Sequence, residues 1–216
     1  MPSDFTAKRL ICSTCLRAQS ACICQWVMPL AHRVEVVVLQ HPLEVANAKG
    51  SARLLCLNLA HSKLVTGETF ADPVLRALLT APLQTQAATG PPKHAILLYP
   101  QTPHDQAMGW PAPPVLPPAW LDVPSRLRLI VLDGTWSKSR KMLYLNPLLQ
   151  QLPRLALCDM PASNYRIRTA HRPDQLSTLE AVCAALMQLE GSVKQFAPLL
   201  KAFDGFVAQQ LGYRIR

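Results

Sequence analysis

The chain has 216 residues, half of them hydrophobic, and its 22 basic against 13 acidic residues leave a net charge of +9. That length buries one sizeable core, as a globular protein does. No apolar run approaches the ~20 residues of a membrane span, and the opening Met-Pro-Ser-Asp-Phe-Thr-Ala-Lys-Arg carries no apolar signal region, so a cytoplasmic protein is expected.

Four of the seven cysteines fall within thirteen residues, as Cys12-x-x-Cys15 and Cys22-x-Cys24. In a cytoplasmic chain such spacing favours metal over disulfides. Four thiolates satisfy tetrahedral zinc and leave no open position, so the expected site is structural. The tight C-x-C half leaves free thiols as the alternative. Arg9, Arg17 and Arg33 surround the cluster, either to touch RNA or to keep it soluble. Cys56, Cys158 and Cys183 lie in apolar segments and read as small buried residues.

The β-branched run Val34–Leu39 predicts a first strand, ended by Gln40-His41-Pro42-Leu43-Glu44. His41 reads as structural or as a loop group near a site. Residues 46–60 read as a helix carrying Lys49 and Arg53, weakened at Gly50. Lys63–Thr66 predicts a short strand, and residues 73–80 a helix with Asp72 as cap and Pro73 at its first position. His94–Tyr99 is a third strand. Between Pro100 and Pro124 stand eight prolines in 25 residues, which predicts an extended connection or lid. Trp110 and Trp120 within it either pin the loop or stack on a base.

Leu127–Leu132 is an apolar run bounded by Asp133-Gly134, a strand followed by a turn. Thr135 can cap the helix that runs from Ser137 to Asn146-Pro147. Strand, tight turn and helix place ligands at the carboxyl edge of a parallel sheet. The plainer alternative has Asp133 as a cap and Trp136 as core. The segment Arg126–Arg172 holds nine basic residues against Asp133 and Asp159, which is seven of the nine net charges. A polyanion such as nucleic acid suits that concentration.

Arg154–Leu157 predicts another strand, followed by a polar loop over residues 163–168. Ser177-Thr178-Leu179-Glu180 is a capping box opening a helix that Gly191 closes. A last helix spans residues 193–211. The alternation of strands and helices predicts an α/β fold with a mainly parallel sheet and flanking helices. The absence of G-x-G-x-x-G after the first strand, and of G-x-x-x-x-G-K anywhere, excludes a standard dinucleotide or P-loop site.

Asp133-Gly134-Thr135-Trp136 resembles the D-x-T-W signature of the DTW-domain family. The cysteine cluster, Gln40-His41-Pro42-x-Glu44 with Ala48-Lys49-Gly50, Leu98-Tyr99-Pro100, and Ser163-x-Tyr165-Arg166-x-Arg168 leading to Leu176–Ala181 resemble its other motifs in order. The resemblance implies a tRNA-uridine aminocarboxypropyltransferase of bacterial type. Such enzymes move the 3-amino-3-carboxypropyl group of S-adenosylmethionine to uridine N3 and leave methylthioadenosine. It also implies a SPOUT-like fold with a possible trefoil knot, a zinc knuckle over residues 1–33 and a catalytic domain over 34–216.

On this resemblance the catalytic residues are Asp133, Thr135 and Trp136. Tyr99, Pro100, Leu132, Gly134, Ser163, Tyr165 and Arg166 line the cofactor pocket. Lys138, Arg140, Lys141 and Arg168 meet tRNA, or stand as solvated surface charges. Cys12, Cys15, Cys22 and Cys24 hold zinc. Asp133 is the candidate to take the N3 proton, with positioning as its alternative role. No obligate protein partner and no membrane are expected. The rivals are a methyltransferase on the same fold and a non-catalytic zinc-containing RNA-binding protein.

Overall fold

The computed structural model describes residues 10–83, 91–102, 108–157 and 176–213. Five parallel strands form one sheet: β1 (Glu35–Gln40), β2 (Ser62–Thr66), β3 (His94–Leu98), β4 (Leu127–Asp133) and β5 (Arg154–Leu155). Their order across the sheet is β2-β1-β4-β3-β5. Both faces are covered, which is why the strands read as apolar runs rather than as alternation.

Strand periodicity deals the residues to two cores. Val36, Val38, Ile96, Leu127, Leu129 and Val131 face one way. They pack on α1 (Ala52–Asn58), α6 (Thr178–Glu190) and α7 (Val193–Gly212), with Cys12, Cys15 and Ile23 of the cysteine segment in the same core. Val37, Leu39, Ala95, Leu97, Ile130 and Leu132 face α2 (Asp72–Thr80), α4 (Trp136–Leu145) and α5 (Pro147–Gln150). Trp26 lies so flat on α7 that a Cβ at Gly205 would come within 2.2 Å of its ring. Its indole N–H donates to Gln209 Oε1 at 2.7 Å.

Several predicted elements stand as expected. Ser177 Oγ accepts from Glu180 N, and Ser177 N donates to the Glu180 carboxylate, completing the capping box. Gly191 ends α6 at φ +69°, where glycine carries no Cβ penalty. Trp120 stacks on His94 with centroids 4.3 Å apart, and Trp110 packs against the second core, so both indoles pin the proline-rich connection. Cys183 is buried and Cys56 packs against the same core; Cys158 lies outside the described residues.

Other elements differ for physical reasons. The helix expected over residues 46–60 is only Ala52–Asn58. Asn47 Oδ1 accepts from Lys49 N at 3.0 Å, a local turn that competes with helix. Asp72 is the first residue inside α2 and makes no side-chain cap; Ala71 holds the cap position. The strand expected over 154–157 shrinks to an edge strand of two residues, Arg154–Leu155. Among the described residues of the proline-rich connection lies a short helical turn, α3 (Pro118–Leu121).

Candidate active site at the carboxyl edge of the sheet

From β1 the chain leaves toward β2 on one side, and from β4 it leaves toward β5 on the other. The connections leaving the carboxyl ends of these neighbouring strands diverge, and such a switch point is where open α/β sheets bind ligands. Asp133, the last residue of β4, pairs in register with Gln40, the last of β1.

Asp133 is 6% exposed, and both carboxylate oxygens accept hydrogen bonds. Gln40 Nε2 donates to Oδ2 at 2.9 Å, and Thr178 Oγ1, from the first residue of α6, donates to Oδ1 at 2.6 Å. His41 N donates to the Asp133 carbonyl at 2.9 Å. A Cβ on Gly134 would lie 3.1 Å from Lys138 Cβ and 3.6 Å from that of His41, so glycine lets the two loops close on each other. Glu44, Asn47, Lys49, Gly50, Ser51 and Ser177 complete a narrow cleft around Asp133, Gly134 and Thr178.

His41 is fixed through both ring nitrogens, as Nδ1 accepts from Leu43 N at 3.2 Å and Nε2 meets Glu68 at 2.9 Å. It is thus both structural and close to the site. Hydrogen bonds from His41 and then Lys141 hold Glu68 below the usual carboxylate range.

A second cluster forms where β3 and β5 end. Tyr99 is buried, and its ring meets Trp136 edge-on with centroids 5.7 Å apart. The Arg154 guanidinium lies 5.4 Å from the Tyr99 centroid, and its Nη1 donates to the Pro100 carbonyl at 3.2 Å. Trp136 is 48% exposed, so it is not core. Thr135 caps α4, its hydroxyl accepting from Lys138 N at 3.4 Å. The Leu132 side chain belongs to the second core.

The sequence expectations thus divide. Asp133 and Gly134 meet at one cleft, while Tyr99, Pro100 and Trp136 meet beside it. Ser163, Tyr165, Arg166 and Arg168 lie outside the described residues. Of the expected RNA contacts, Lys138 bonds Glu44 at 2.7 Å, Lys141 pairs with Glu68 at 3.0 Å, and Arg140 is half-buried on α4.

The basic concentration around Asp133 needs correcting. Arg128 is fully buried at the opposite, amino edge of the sheet, where it pairs with Glu35. Arg17 donates to the Ala48 and Gly50 carbonyls, while Arg33, its side chain exposed, meets Glu190 through its backbone N and its guanidinium. Arg9 lies outside the described residues.

Sequence reasoning placed Gln40 and Thr178 within motifs but gave them no role, and it passed over Arg154. The available signals were a polar side chain ending an apolar strand, and a hydroxyl just inside a capped helix. A cavity of about 410 Å³ lined by Arg33, Asp122, Glu190 and apolar neighbours sits at the amino edge, away from this chemistry.

The four N-terminal cysteines converge as expected, every Sγ within 4.8 Å of the others. Cys12–Cys24 and Cys15–Cys22 are 3.6 and 3.8 Å apart. Zinc–sulfur bonds of about 2.3 Å give tetrahedral edges of about 3.8 Å, so the donor set fits zinc. Backbone hydrogen bonds from Cys15 and Thr14 bring the Cys12 thiol down to about 6, whereas burial pushes Cys24 up to about 12.

The chain is similar to tRNA-uridine aminocarboxypropyltransferase 2 of Macaca fascicularis, 28% identical over 226 residues that cover all of this chain and 69% of that protein. The Drosophila melanogaster protein of the same name is 27% identical over 202 residues, covering 89% of this chain and 72% of its own length. Similarity extends to tRNA-uridine aminocarboxypropyltransferase A of Arabidopsis thaliana, 27% identical over 146 residues, covering 64% of this chain and 52% of that protein. No solved structure matches. The family model described as DTW domain matches residues 9–211, nearly the whole chain, and the chain belongs to that family.

Proposed function

We propose that the chain transfers the 3-amino-3-carboxypropyl group of S-adenosylmethionine to N3 of a tRNA uridine and releases methylthioadenosine. The observation that carries this reading is membership of the DTW family across nearly the whole chain, with relatives named for that activity. The D-x-T-W turn standing at the sheet's switch point supports it.

In the proposed reaction, uridine N3 attacks the methionine γ-carbon of the donor and the carbon–sulfur bond breaks. Sulfur keeps the bonding pair and leaves as a neutral thioether, while the N3 proton passes to a base. Asp133 is the proposed base. A positioning role is the second reading, favoured by the hydrogen bonds that already engage both of its oxygens. Trp136 offers a face for adenine or uracil, and Thr135 a hydroxyl for the donor's amino-acid part. Backbone groups at Tyr99–Pro100 and Leu132–Gly134 are proposed to line the donor pocket; Ser163, Tyr165 and Arg166, assigned to the donor by the family resemblance, lie outside the described residues. Arg140, Lys138, Lys141 and Arg168 meet tRNA phosphates.

The proposal extends to the architecture: a SPOUT-like catalytic unit over residues 34–216 and a structural zinc knuckle over 1–33. The enzyme would work in the cytoplasm on tRNA, without an obligate protein partner. No helix among the described residues is long and apolar enough to cross a membrane.

Incubation with bulk tRNA and S-adenosylmethionine, followed by mass analysis of both products, tests the reading. Methylthioadenosine together with aminocarboxypropylated uridine is the expected result. Adenosylhomocysteine as the sole nucleoside product would replace it with the methyltransferase.

A further inference from the structure

The wall of the Asp133 cleft formed by Asn47, Lys49, Gly50 and Ser51 has no regular secondary structure of its own. Asn47 O is taken by Gly50 N within the loop, while the carbonyls of Ala48 and Gly50 take partners from elsewhere. The Arg17 guanidinium supplies them, with Nη1 donating to Ala48 O at 2.6 Å and Nη2 to Gly50 O at 2.9 Å. It also lies over the Phe206 ring, 5.2 Å from the centroid. Arg53 reaches back the other way, its Nη2 donating to Thr14 O, inside the Cys12–Cys15 turn, at 3.0 Å.

What aims Arg17 is the cysteine turn. Cys12 N donates to Arg17 O at 2.8 Å and Leu16 N to Cys12 O at 2.9 Å. Between Cys15 and Arg17 the chain passes through Leu16 at φ +57°, a left-handed conformation that a branched side chain adopts only when its surroundings hold it. Thiolate ligation of one metal ion would supply that hold, since it fixes Cys12 and Cys15 relative to each other.

We infer that Arg17 is a positioning residue that clamps the cleft wall to the cysteine knuckle, so that the knuckle's metal state sets the order of residues 46–51 and the affinity of the cleft. The donor as occupant rests on the activity proposed above; the clamp does not. The amides of Asn47, Lys49 and Gly50 report on it directly, since they bond to Glu44 O, Asn47 Oδ1 and Asn47 O. A lysine cannot replace the planar fork that spans two carbonyls.

The experiment compares wild type, Arg17→Ala and Arg17→Lys, each zinc-loaded and chelated, by amide exchange, metal content and calorimetric binding of S-adenosylmethionine. Both zinc-loaded variants are expected to keep full metal content, to exchange faster at Asn47, Lys49 and Gly50, and to bind the donor more weakly. The loss should be roughly 5- to 150-fold, the span of ordinary site-to-site coupling. Single-turnover rate at saturating donor should stay near wild type. Chelation should speed those three amides in wild type and add little in Arg17→Ala, because both changes break one linkage. Unchanged exchange and donor affinity in zinc-loaded Arg17→Ala would overturn the clamp, as would a chelation effect of full size in that variant. If wild type itself binds no donor, the proposed activity falls and the exchange cycle alone decides the clamp.

Discussion

Strands β1 and β4 carry a polar pair at each end, and the two pairs are built on opposite principles. At the amino edge Glu35 faces Arg128 in register. Arg128 Nε donates to Glu35 Oε2 at 2.9 Å, and the guanidinium also bonds the Leu78 and Ala81 carbonyls. Lys93 closes on the other Glu35 oxygen at 3.1 Å. At the carboxyl edge Gln40 faces Asp133, where a neutral amide and a neutral hydroxyl each donate to one oxygen of the carboxylate. One pair uses its charge to hold strands together; the other keeps a charged group aimed at a cleft. Charge density along a sequence says nothing about which of these a residue will join.

The strongest way to break this contrast is Asp133→Asn. The Thr178 hydroxyl can turn to accept from an amide, so the substitution fits. If Asp133 takes the N3 proton, single-turnover rate should fall by roughly 10²–10⁴ with both ligands retained, and alkali should restore part of it. A loss confined to donor affinity, without alkaline recovery, assigns positioning instead. A normal rate at neutral pH excludes the base role.

Next comes Arg128→Ala, which strips Glu35 of its main partner. Denaturant unfolding should show a loss of about 3–5 kcal/mol, as for a broken buried pair. Transfer activity at low temperature should persist, because the amino edge lies outside the reaction. Pairing Arg128→Met with Glu35→Gln should recover much of the stability.

A smaller effect is expected from Lys138→Ala with Lys141→Ala. The slope of log affinity for tRNA against log salt should drop by about 0.9 for each phosphate that is no longer neutralised. An unchanged slope would mean that Glu44 and Glu68 hold these ammonium groups in the complex as they do here.

The smallest effect sharpens the amino edge. Burial holds His32 below its ordinary 6.5, and its neutral ring accepts from His61 N at 2.9 Å. Its contribution to stability should be complete above pH 6.5 and disappear as pH falls through the folded value. Unfolding midpoints across that window should flatten in His32→Gln.

Both edges also mark the limits of the sequence. The β1 and β4 runs, the capping box at Ser177 and the cysteine spacing were legible because each is a local pattern with one physical reading. Arg128 was not, since a basic residue inside an apolar strand reads as surface charge until Glu35 is placed opposite it. Arg17 likewise reads as a solubilising residue until Ala48 and Gly50 appear as its acceptors. Gln40 and Thr178 gain their roles only from a carboxylate lying far away in sequence.

That distance has a temporal side. The Asp133 carboxylate is gripped by residues contributed early, in the middle and late along the chain: Gln40, its own strand and Thr178. A chain still emerging from the ribosome holds β1 and β4 well before α6 exists to offer its hydroxyl. The corner can therefore reach its finished shape only after the carboxyl-terminal helices are made, and a product truncated before Thr178 lacks the hydroxyl that grips its central acid.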